Sequence, residues 1–343
     1  MLRVLVTGGA GFIGSHFIRM LHAEEPDARI TNLDALTYAG NLANLADLAG
    51  SSRYQFVRGD IRELKVAQEL VSGADWIVNF AAESHVDRST KARAGDFIDT
   101  NVYGAYVMLE ATRLTNRAAR FLQVGTDEVY GSVDWPNFPN ESALLCPSSP
   151  YSAAKAGADH IALAFHRTHG MDVMVSRCTN NYGPYQYPEK VIPVFITNAL
   201  DGQPLPLYDG GTQVRDWLRV EDHCRALLLL LRRGTAGEVY NIGANQTPEV
   251  TNAELTRMIL ARTGRDETLI RPVQGLRPGH DHRYAVDTAK IRALGWSPEA
   301  DLEAGIERTV AWYRENRAWW EPIKSGEYRE YYQKHYGEAS ARR

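Results

Sequence analysis

Short apolar segments alternate with longer segments of helical periodicity through the first half of the chain. The apolar segments that predict strands are residues 3–7, 29–33, 55–58, 76–80, 120–125 and 172–177. They are apolar at nearly every position, which is typical of parallel strands with helices on both faces. Helices are predicted between them, including residues 15–22, 96–112 and 152–169. This alternation predicts an α/β fold with a Rossmann-like, doubly wound parallel sheet.

The pattern changes after residue 177. Residues 180–184 and 204–206 are rich in turn formers, and irregular segments separate the later helices. We therefore predict a first, nucleotide-binding domain over residues 1–177 and a smaller, C-terminal substrate-binding region over residues 178–343. Parts of residues 217–243 are expected to return to the first domain and complete it.

The composition is that of a soluble globular protein, with 44% hydrophobic and 23% charged residues among 343. A formal net charge of −4 gives no reason to expect a nucleic acid or an anionic membrane as partner. The longest apolar run, residues 226–231, is too short to cross a bilayer, and the chain starts without a signal-peptide pattern. The cysteines Cys146, Cys178 and Cys224 fit no disulfide or metal-ligand spacing. We expect a cytoplasmic protein without a metal ion.

Gly8, Gly11 and Gly14 lie between the first predicted strand and the first predicted helix. Glycines at this point let the backbone turn tightly and approach a pyrophosphate, which the helix N-terminus then binds. Asp34 ends the second strand, where a carboxylate accepts hydrogen bonds from the adenosine ribose and repels a 2′-phosphate. The predicted cofactor is therefore NAD rather than NADP. The alternative is an ordinary glycine-rich turn before a helix.

Tyr151 and Lys155 are one helical turn apart, so their side chains share one face of a helix. A phenol has a pKa of about 10 in water, too high for a base at neutral pH. A neighbouring ammonium group and the positive nicotinamide ring would lower the pKa of Tyr151. Tyr151 could then take the proton of a sugar hydroxyl while the carbon beneath it gives hydride to NAD. The alternative is an exposed lysine that packs along a tyrosine ring.

Thr126, Asp127 and Glu128 follow the fifth predicted strand, whose carboxyl end faces the same crevice. Oxidation of a hexose at C4 makes its C5 proton acidic, so a base is needed at C5 and an acid at the C6 hydroxyl. Adjacent carboxylic side chains can serve both roles if their surroundings separate their pKa values. The alternative is a solvated turn or the start of a helix.

Four motifs together resemble the dTDP-glucose 4,6-dehydratases, a family of the extended short-chain dehydrogenase/reductase group. They are GGAGFIG at residues 8–14, TDEVYG at 126–131, YSAAK at 151–155 and NNYGPY at 180–185. The resemblance runs from residue 2 to about residue 336 and includes RPGHD at residues 277–281. Gly125 departs from the family pattern, which often has serine there.

The resemblance implies a role for each residue of the two catalytic motifs. Tyr151 would be the base for O4, with Lys155 as its electrostatic support and as a ligand of the nicotinamide ribose. Thr126 would contact the C4 oxygen. Asp127 would protonate the departing C6 hydroxyl, and Glu128 would remove and later return the C5 proton. Hydride would pass from C4 to NAD and back to C6, giving a 4-keto-6-deoxy sugar nucleotide.

The resemblance also implies the residues that bind the two ligands. The NAD site would comprise Gly8, Gly11, Phe12, Ile13, Gly14, Asp34, Ala35, Leu36, Thr37, Asp60, Ile61, Ala81, Ala82, Glu83, Ser84, Thr100, Tyr151, Lys155 and Asn181. The nucleotide-sugar site would comprise Ser84, Thr126, Asn180, Lys190, Val191, Pro206, Leu207, Tyr208, Arg215, Asn252, Arg277 and His280. A homodimer formed through the helices around residues 96–112 and 152–169 is implied as well.

Two other functions fit parts of this pattern. A nucleotide-sugar epimerase or decarboxylase would use the same Tyr151 and Lys155, but neither reaction needs Asp127 to expel a C6 hydroxyl. A catalytically silent NAD-binding scaffold could share the fold. Such a protein is expected to lose at least one of Asp127, Glu128, Tyr151 and Lys155, and all are present. The choice between thymidine and uridine, and the pathway served, stay open at this point.

Overall fold

The computed structural model describes residues 1–84, 86–91, 93–274 and 281–326. Its strands are β1 Arg3–Thr7, β2 Arg29–Asp34, β3 Tyr54–Arg58, β4 Trp76–Asn79, β5 Arg120–Thr126, β6 Val173–Cys178, β7 Asn180–Tyr182, β8 Leu205–Tyr208, β9 Val214–Arg215, β10 Trp217–Arg219, β11 Val239–Ile242, β12 Val250–Thr251 and β13 Ile270–Val273. Its α-helices are α1 Phe12–Glu24, α2 Leu64–Val71, α3 Val86–Lys91, α4 Ala94–Phe97, α5 Ala105–Thr115, α6 Pro150–His169, α7 Val191–Leu200, α8 Val220–Arg233, α9 Asn252–Thr263, α10 Ala289–Ala293, α11 Leu302–Glu315 and α12 Arg317–Ser325. None of these helices is long and apolar enough to cross a membrane.

Seven strands form one parallel sheet, in the order β11-β6-β5-β4-β1-β2-β3. The chain moves outwards from β1 to β3 and then returns to the other side of β1 with β4. Adjacent loops diverge at such a switch point, which opens a crevice beyond the carboxyl ends of the strands. The predicted fold class, a doubly wound parallel sheet, is confirmed. The bounds of the six predicted strands agree with the observed ones to within one residue.

Apolar side chains cover both faces of this sheet. On one face, α1 and α8 contribute Phe17, Ile18 and Leu227, all fully buried. On the other face, α2, α5 and α6 contribute residues such as Met108 and Ala162. A large apolar side chain contributes about 1.5–3 kcal/mol when it is fully buried. Burial on both sides explains why the strands are apolar at almost every position.

The helix predicted over residues 96–112 is divided in the structure. Between α4 and α5 the backbone forms a π-helical segment, Ile98–Gly104. There the side chain of Asn101 accepts a hydrogen bond from the Glu83 backbone N–H at 2.8 Å and donates one to the Glu83 carbonyl at 3.0 Å. These two hydrogen bonds join the π-helical segment to the loop after β4. Apolar periodicity cannot distinguish a π turn from continuous α-helix, so the sequence pattern missed it.

The residues after β6 form a second apolar core beside the carboxyl edge of the sheet. Its members include Ile196, Leu205, Ile259, Ile306 and Trp320, all at most 1% exposed. Three pairs of short strands accompany it: β7 with β10, β9 with β12, and β8 with β13. Helix α8 returns to pack on α1, and β11 adds to the main sheet beside β6. The domain boundary after residue 177 stays a prediction.

Candidate active site

A cleft of about 640 Å³ lies at the carboxyl ends of the parallel strands. It is lined by the loops after β1 to β5, by the first turns of α6 and by residues between β6 and α7. The structure brings most of the predicted site residues together in its walls. These are Gly8, Gly11, Phe12, Ile13, Gly14, Asp34, Ala35, Thr37, Asp60, Ile61, Ala81, Ala82, Glu83, Ser84, Thr100, Thr126, Asp127, Glu128, Tyr151, Lys155, Asn180, Asn181 and Lys190.

The glycine-rich turn brings bare backbone to one end of the cleft. Gly8 has a φ of +69°, and a Cβ atom there would lie 2.7 Å from the Ala81 nitrogen, so only glycine fits. No side chain caps the N-terminus of α1, which leaves its first N–H groups free for an anion. The Asp34 carboxylate accepts hydrogen bonds from the backbone N–H groups of Ala10 at 2.9 Å and Leu36 at 2.8 Å. It thereby joins the turn to the end of β2.

Helix α6 positions Tyr151 and Lys155. Ser149 caps the helix by accepting a hydrogen bond from the Ser152 N–H at 3.1 Å, and the Ser152 hydroxyl accepts one from the Ser149 N–H at 3.0 Å. Pro150 occupies the first turn, where its missing N–H costs nothing. The helix start is thus well defined, and Tyr151 lies within its first turn.

Burial controls the protonation of this pair. It raises the pKa of Tyr151 well above that of a free phenol, and the nearby Glu128, Cys178 and Asp127 raise it further. Burial also lowers the pKa of Lys155, whose ammonium group donates a hydrogen bond to the Val124 carbonyl at 2.5 Å. The sequence-based expectation was a pKa of Tyr151 lowered by Lys155 together with the positive nicotinamide ring. Without the charge of that ring, burial dominates and Tyr151 is a neutral phenol.

The acidic motif continues directly from β5. The Thr126 hydroxyl accepts a hydrogen bond from the Glu128 N–H and donates one to Asp127 Oδ1, both at 3.3 Å. The other carboxyl oxygen of Asp127 is buried without a hydrogen-bond partner in the described part of the chain. Burial first, then the charges of Glu128 and Asp216, raise the pKa of Asp127 well above its ordinary value. Asp127 is therefore suited to be a proton donor.

Glu128 occupies a different electrostatic environment, although it is the next residue. Burial raises the pKa of its carboxyl group and the charge of Asp281 adds to this shift, but the positive charges of Lys190 and Arg215 oppose it. These groups favour the charged form of Glu128 more than that of Asp127. The two neighbouring carboxyl groups are thus separated into an acid and a base, as two-carboxylate chemistry requires.

A buried ion pair lies behind Lys155. Arg177 donates a hydrogen bond to Asp159 at 2.9 Å and another to the Tyr130 hydroxyl at 2.8 Å. Gly125 is packed against the same group: a Cβ atom there would lie 2.9 Å from Asp159 Oδ1 and 2.5 Å from the Ser176 carbonyl. The spacing of β5 and β6 in this chain is therefore fitted to glycine, where the related family often has serine.

Several predicted residues do not line the cleft. Leu36 contributes its backbone N–H to Asp34 and has a φ of +54°. The others outside the lining are Val191, Pro206, Leu207, Tyr208, Arg215 and Asn252. The Arg215 guanidinium donates hydrogen bonds to the carbonyls of Val214 at 2.7 Å, Asp281 at 2.8 Å and His282 at 3.2 Å. Arg277 and His280 lie outside the described residues.

The sequence reasoning missed a group of side chains across the cleft. The Tyr38 hydroxyl lies 2.7 Å from the Ser84 carbonyl and 2.9 Å from Glu189 Oε1. Arg88 donates to Glu189 Oε2 at 3.1 Å, and its guanidinium lies 3.5 Å from the centre of the Tyr38 ring. These residues come from three separate segments, so only the tertiary structure reveals the group. No local motif signals it.

The Cys178 thiol lines the cleft in its protonated form. Burial raises the pKa of the Cys178 thiol to about 12, so it is not a thiolate at neutral pH. Within residues 1–84, 86–91, 93–274 and 281–326, no three His, Cys, Asp or Glu side chains are grouped so as to hold a metal ion.

The geometry of the cleft identifies the class of enzyme to which this chain belongs. A glycine-rich turn at the switch point of a parallel sheet, facing a buried tyrosine–lysine pair, defines the dinucleotide-dependent short-chain dehydrogenases. A family model for GDP-mannose 4,6 dehydratase matches residues 5–309.

Comparisons with individual proteins identify the family within this class. A dTDP-glucose 4,6-dehydratase of Streptomyces niveus is 53% identical over 329 residues, covering 94% of this chain and 96% of that protein. The crystal structure of DesIV, a dTDP-glucose 4,6-dehydratase from Streptomyces venezuelae with NAD and TYD bound, has a TM-score of 0.91 and 52% identity. It covers 94% of this chain and 100% of that chain. The Bacillus anthracis dTDP-glucose 4,6-dehydratase in complex with NAD has a TM-score of 0.88 and 44% identity, with 94% and 100% covered. The chain belongs to the dTDP-glucose 4,6-dehydratase family, which confirms the predicted resemblance.

Proposed function

We propose that this chain catalyses the NAD-dependent dehydration of dTDP-glucose to dTDP-4-keto-6-deoxyglucose, a reaction of deoxysugar biosynthesis. One observation carries the proposal: Asp127, a buried carboxyl group whose pKa is raised, lies beside Glu128 in the same cleft as Tyr151 and Lys155. A dehydrogenase without elimination chemistry needs only the tyrosine and lysine. Family membership supports the choice of substrate.

The cofactor end of the cleft fits NAD. The uncapped N-terminus of α1 and the bare backbone at Gly8 suit a pyrophosphate, and Asp34 suits an unphosphorylated ribose. The other residues of the proposed site are Gly11, Phe12, Ile13, Gly14, Ala35, Leu36, Thr37, Asp60, Ile61, Ala81 to Ser84, Thr100, Tyr151, Lys155 and Asn181. NAD bound there supplies the acceptor, and later the donor, of a hydride. Its positive ring also supplies the charge that a neutral Tyr151 needs in order to lose its proton.

Oxidation at C4 is the first step. Tyr151 acts as a phenolate, which the Lys155 ammonium stabilises, and it takes the proton from O4 as hydride leaves C4. The hydroxyl of Thr126, which lines the same cleft, is assigned to contact the same sugar oxygen. The ketone formed at C4 acidifies the neighbouring C5 proton.

Loss of water is the second step. Glu128 takes the C5 proton, the C6–oxygen bond breaks, and Asp127 gives its proton to the departing oxygen. The resulting C5–C6 double bond then accepts hydride at C6, while Glu128 returns a proton to C5. The C5 proton and the hydride are both returned to the sugar. Tyr151 has gained the O4 proton and Asp127 has lost one, so exchange with solvent restores both groups and the net change is loss of one water.

The nucleotide moiety is assigned to the wall that contains Asn180 and Lys190. Lys190 brings a positive charge to the cleft, and the side-chain oxygen of Asn180 is buried without a partner among the described atoms. A diphosphate is neutralised well by such a cation. Ser84 and Thr126 are assigned to the sugar. Val191, Pro206, Leu207, Tyr208, Arg215, Asn252, Arg277 and His280 stay predictions.

We further propose a homodimer that works in the cytoplasm. The region formed by α5 and its preceding π segment exposes the apolar residues Ile98, Tyr103, Tyr106 and Leu114. The Tyr106 ring lies 6.2 Å from that of Phe165 on α6, which places the two helices on a shared surface. Contact between two copies would bury these side chains. The unpaired and exposed thiol of Cys146 suits a reducing compartment.

Product analysis tests the proposed activity. The purified protein is incubated with dTDP-glucose and no added reductant, and product mass and NADH absorbance are followed. The expected product is lighter than the substrate by one water, with no net NADH. Conversion to the galactose isomer at unchanged mass would overturn the proposal. Parallel incubation with UDP-glucose tests the choice of nucleobase. We expect a much lower kcat/KM for UDP-glucose than for dTDP-glucose.

A further inference from the structure

His223 on α8 is buried behind the cleft and has no part in the chemistry described above. The side chain is 0% exposed, and its Nδ1 atom lies 2.9 Å from Oδ1 of Asn181. Asn181 lines the cleft together with Tyr151 and Lys155. His223 therefore touches a residue of the cleft wall without lining the cleft itself.

The orientation of the Asn181 amide follows from its other partner. Nδ2 of Asn181 donates a hydrogen bond to the Thr179 carbonyl at 2.9 Å. A carbonyl can only accept, so the amide nitrogen faces Thr179 and the amide oxygen faces His223. Nδ1 of His223 must then carry the hydrogen. Thr179 therefore fixes the amide nitrogen of Asn181, and His223 fixes its amide oxygen.

The imidazole ring is neutral. Burial lowers the pKa of His223 to about 3, and a neutral ring carries one hydrogen, here on Nδ1. Nε2 has no hydrogen-bond partner within the part of the chain that the structure describes. His223 thus offers one fixed donor and cannot act as a proton carrier at neutral pH.

Thr179 takes one hydrogen of the Asn181 amide group, and the second faces the Cys178 thiol, a weak acceptor that a ligand carbonyl can displace. Asn181 belongs to β7, which directly follows β6, whereas Asp34 ends β2 on the opposite side of β1. A dinucleotide with its adenosine at Asp34 therefore reaches Asn181 with its nicotinamide end. The ligand group expected there is a hydrogen-bond acceptor, and the nicotinamide carboxamide provides a carbonyl oxygen.

We propose that His223 is a positioning residue that fixes the Asn181 amide so that its second N–H meets the carboxamide oxygen of bound nicotinamide. The inference rests on the NAD site of the proposed function. A purely structural histidine is the competing explanation. Most of the other buried residues of α8 are apolar, including Leu227, Leu228 and Leu231, so a simple packing role at this position could be filled by leucine.

Binding of NAD and of ADP-ribose, which lacks nicotinamide, distinguishes the two explanations. Calorimetry is done on full-length protein freed of cofactor. In His223→Leu we expect about tenfold weaker NAD binding, the effect of one lost hydrogen bond, and ADP-ribose affinity changed by less than about twofold. His223→Asn should restore NAD binding, because its amide nitrogen reaches the position of Nδ1. His223→Gln, which cannot place a nitrogen there, should resemble His223→Leu.

Leu228→Ala is the matched control, because it removes a fully buried side chain of α8 that has no polar contact with Asn181. Equal weakening of NAD and ADP-ribose binding in His223→Leu would assign the histidine a structural role. Unchanged binding of both would overturn the inference as well. If His223→Leu fails to fold, the comparison of His223→Asn with His223→Gln tests the proposal instead. Equal NAD affinity in these two variants would contradict it. Failure of the wild-type protein to bind NAD would instead refute the proposed function.

Discussion

Asp127 and Glu128 show how two adjacent carboxyl groups acquire opposite roles. Both are buried, which raises the pKa of each. Asp127 has two carboxylates nearby, Glu128 and Asp216, and one cation, Arg215. Glu128 has two cations nearby, Lys190 and Arg215, and one further carboxylate that raises its pKa, Asp281. The surrounding charges, rather than the residue types, make one group the acid and the other the base.

Asp127→Asn tests the role of the acid. The amide cannot protonate the C6 oxygen, so loss of water should slow by about 10²–10⁴-fold. Hydride transfer to NAD depends on Tyr151 and Lys155 and should change little. Stopped-flow absorbance should show NADH that forms and persists, and mass spectrometry should find a 4-keto-glucose nucleotide. Equal slowing of both steps would contradict the assignment.

The pH dependence of water loss should reflect the separated pKa values. Glu128 acts deprotonated, so the rate rises as the pH rises through its raised pKa. Asp127 acts protonated, so the rate falls as the pH rises through its own pKa, which burial and the neighbouring carboxylates raise further. Single-turnover rates across pH should give a bell shape whose apparent pKa values belong to the pair. An alkaline limb that persists unchanged in the residual activity of Asp127→Asn would show that another group causes it.

Sequence reasoning found the site residues that belong to contiguous motifs, and missed those assembled from separate segments. Thr126 to Glu128, Tyr151 and Lys155 each follow an identifiable strand or helix start. Asp281, which raises the pKa of Glu128, and Asp216, which raises the pKa of Asp127, come from distant parts of the chain. Their roles depend on tertiary distances, which no local spacing encodes.

The segment from α4 to α5 shows how one irregular element serves the cleft. Phe97 at the end of α4 packs edge-on against Tyr151, with 6.3 Å between the ring centroids. Within the following π turn, Thr100 lines the cleft and Asn101 holds the backbone of Glu83 at both of its polar groups. An uninterrupted α-helix would place these side chains differently. The strands, in contrast, were predictable because burial on both faces leaves a continuous apolar signal.

Asn101→Ala should weaken both the fold and cofactor binding. The loss of two buried hydrogen bonds is expected to cost about 1–3 kcal/mol of unfolding free energy. The loop after β4 also loses the hydrogen bonds that hold Glu83 in the wall of the cleft, so NAD affinity should fall as well. Urea unfolding and NAD calorimetry measure the two effects.

Asn116→Ala provides the control at the far end of α5. Asn116 also makes two hydrogen bonds, to the carbonyls of Val71 at 2.9 Å and Ala74 at 2.7 Å, but it does not line the cleft. It should lose comparable stability and keep its NAD affinity. Equal NAD affinities in the two variants would refute a role for Asn101 at the cofactor site.

At the scale of the whole molecule, the order of the strands accounts for the position of the site. The reversal at β1 opens the crevice, and residues 178–190 of the second half cover it from the side of β6. The alternation of apolar segments was enough to predict this architecture. The assembly of two copies is a separate question, because exposed apolar residues indicate a contact surface without naming its partner.

The double variant Tyr103→Glu, Tyr106→Glu should convert the proposed homodimer into monomers. Each tyrosine is exposed in the single chain, by 51% and 39%, and their rings lie 5.9 Å apart. Two negative charges on each copy would be buried without partners in the dimer. Analytical ultracentrifugation measures the change. Leu144→Glu, at a residue that is 91% exposed elsewhere, should leave the oligomeric state as it is. A monomeric wild-type protein would disprove the dimer.

The fate of the C4 hydrogen tests the central claim most directly. dTDP-glucose carrying deuterium at C4 is converted to product, and the label is located by NMR and mass spectrometry. If one cleft oxidises C4, eliminates water through Asp127 and Glu128, and returns the hydride, the deuterium must appear in the C6 methyl group. Deuterium that stays at C4 of a galactose isomer, or that passes to solvent, would contradict the account.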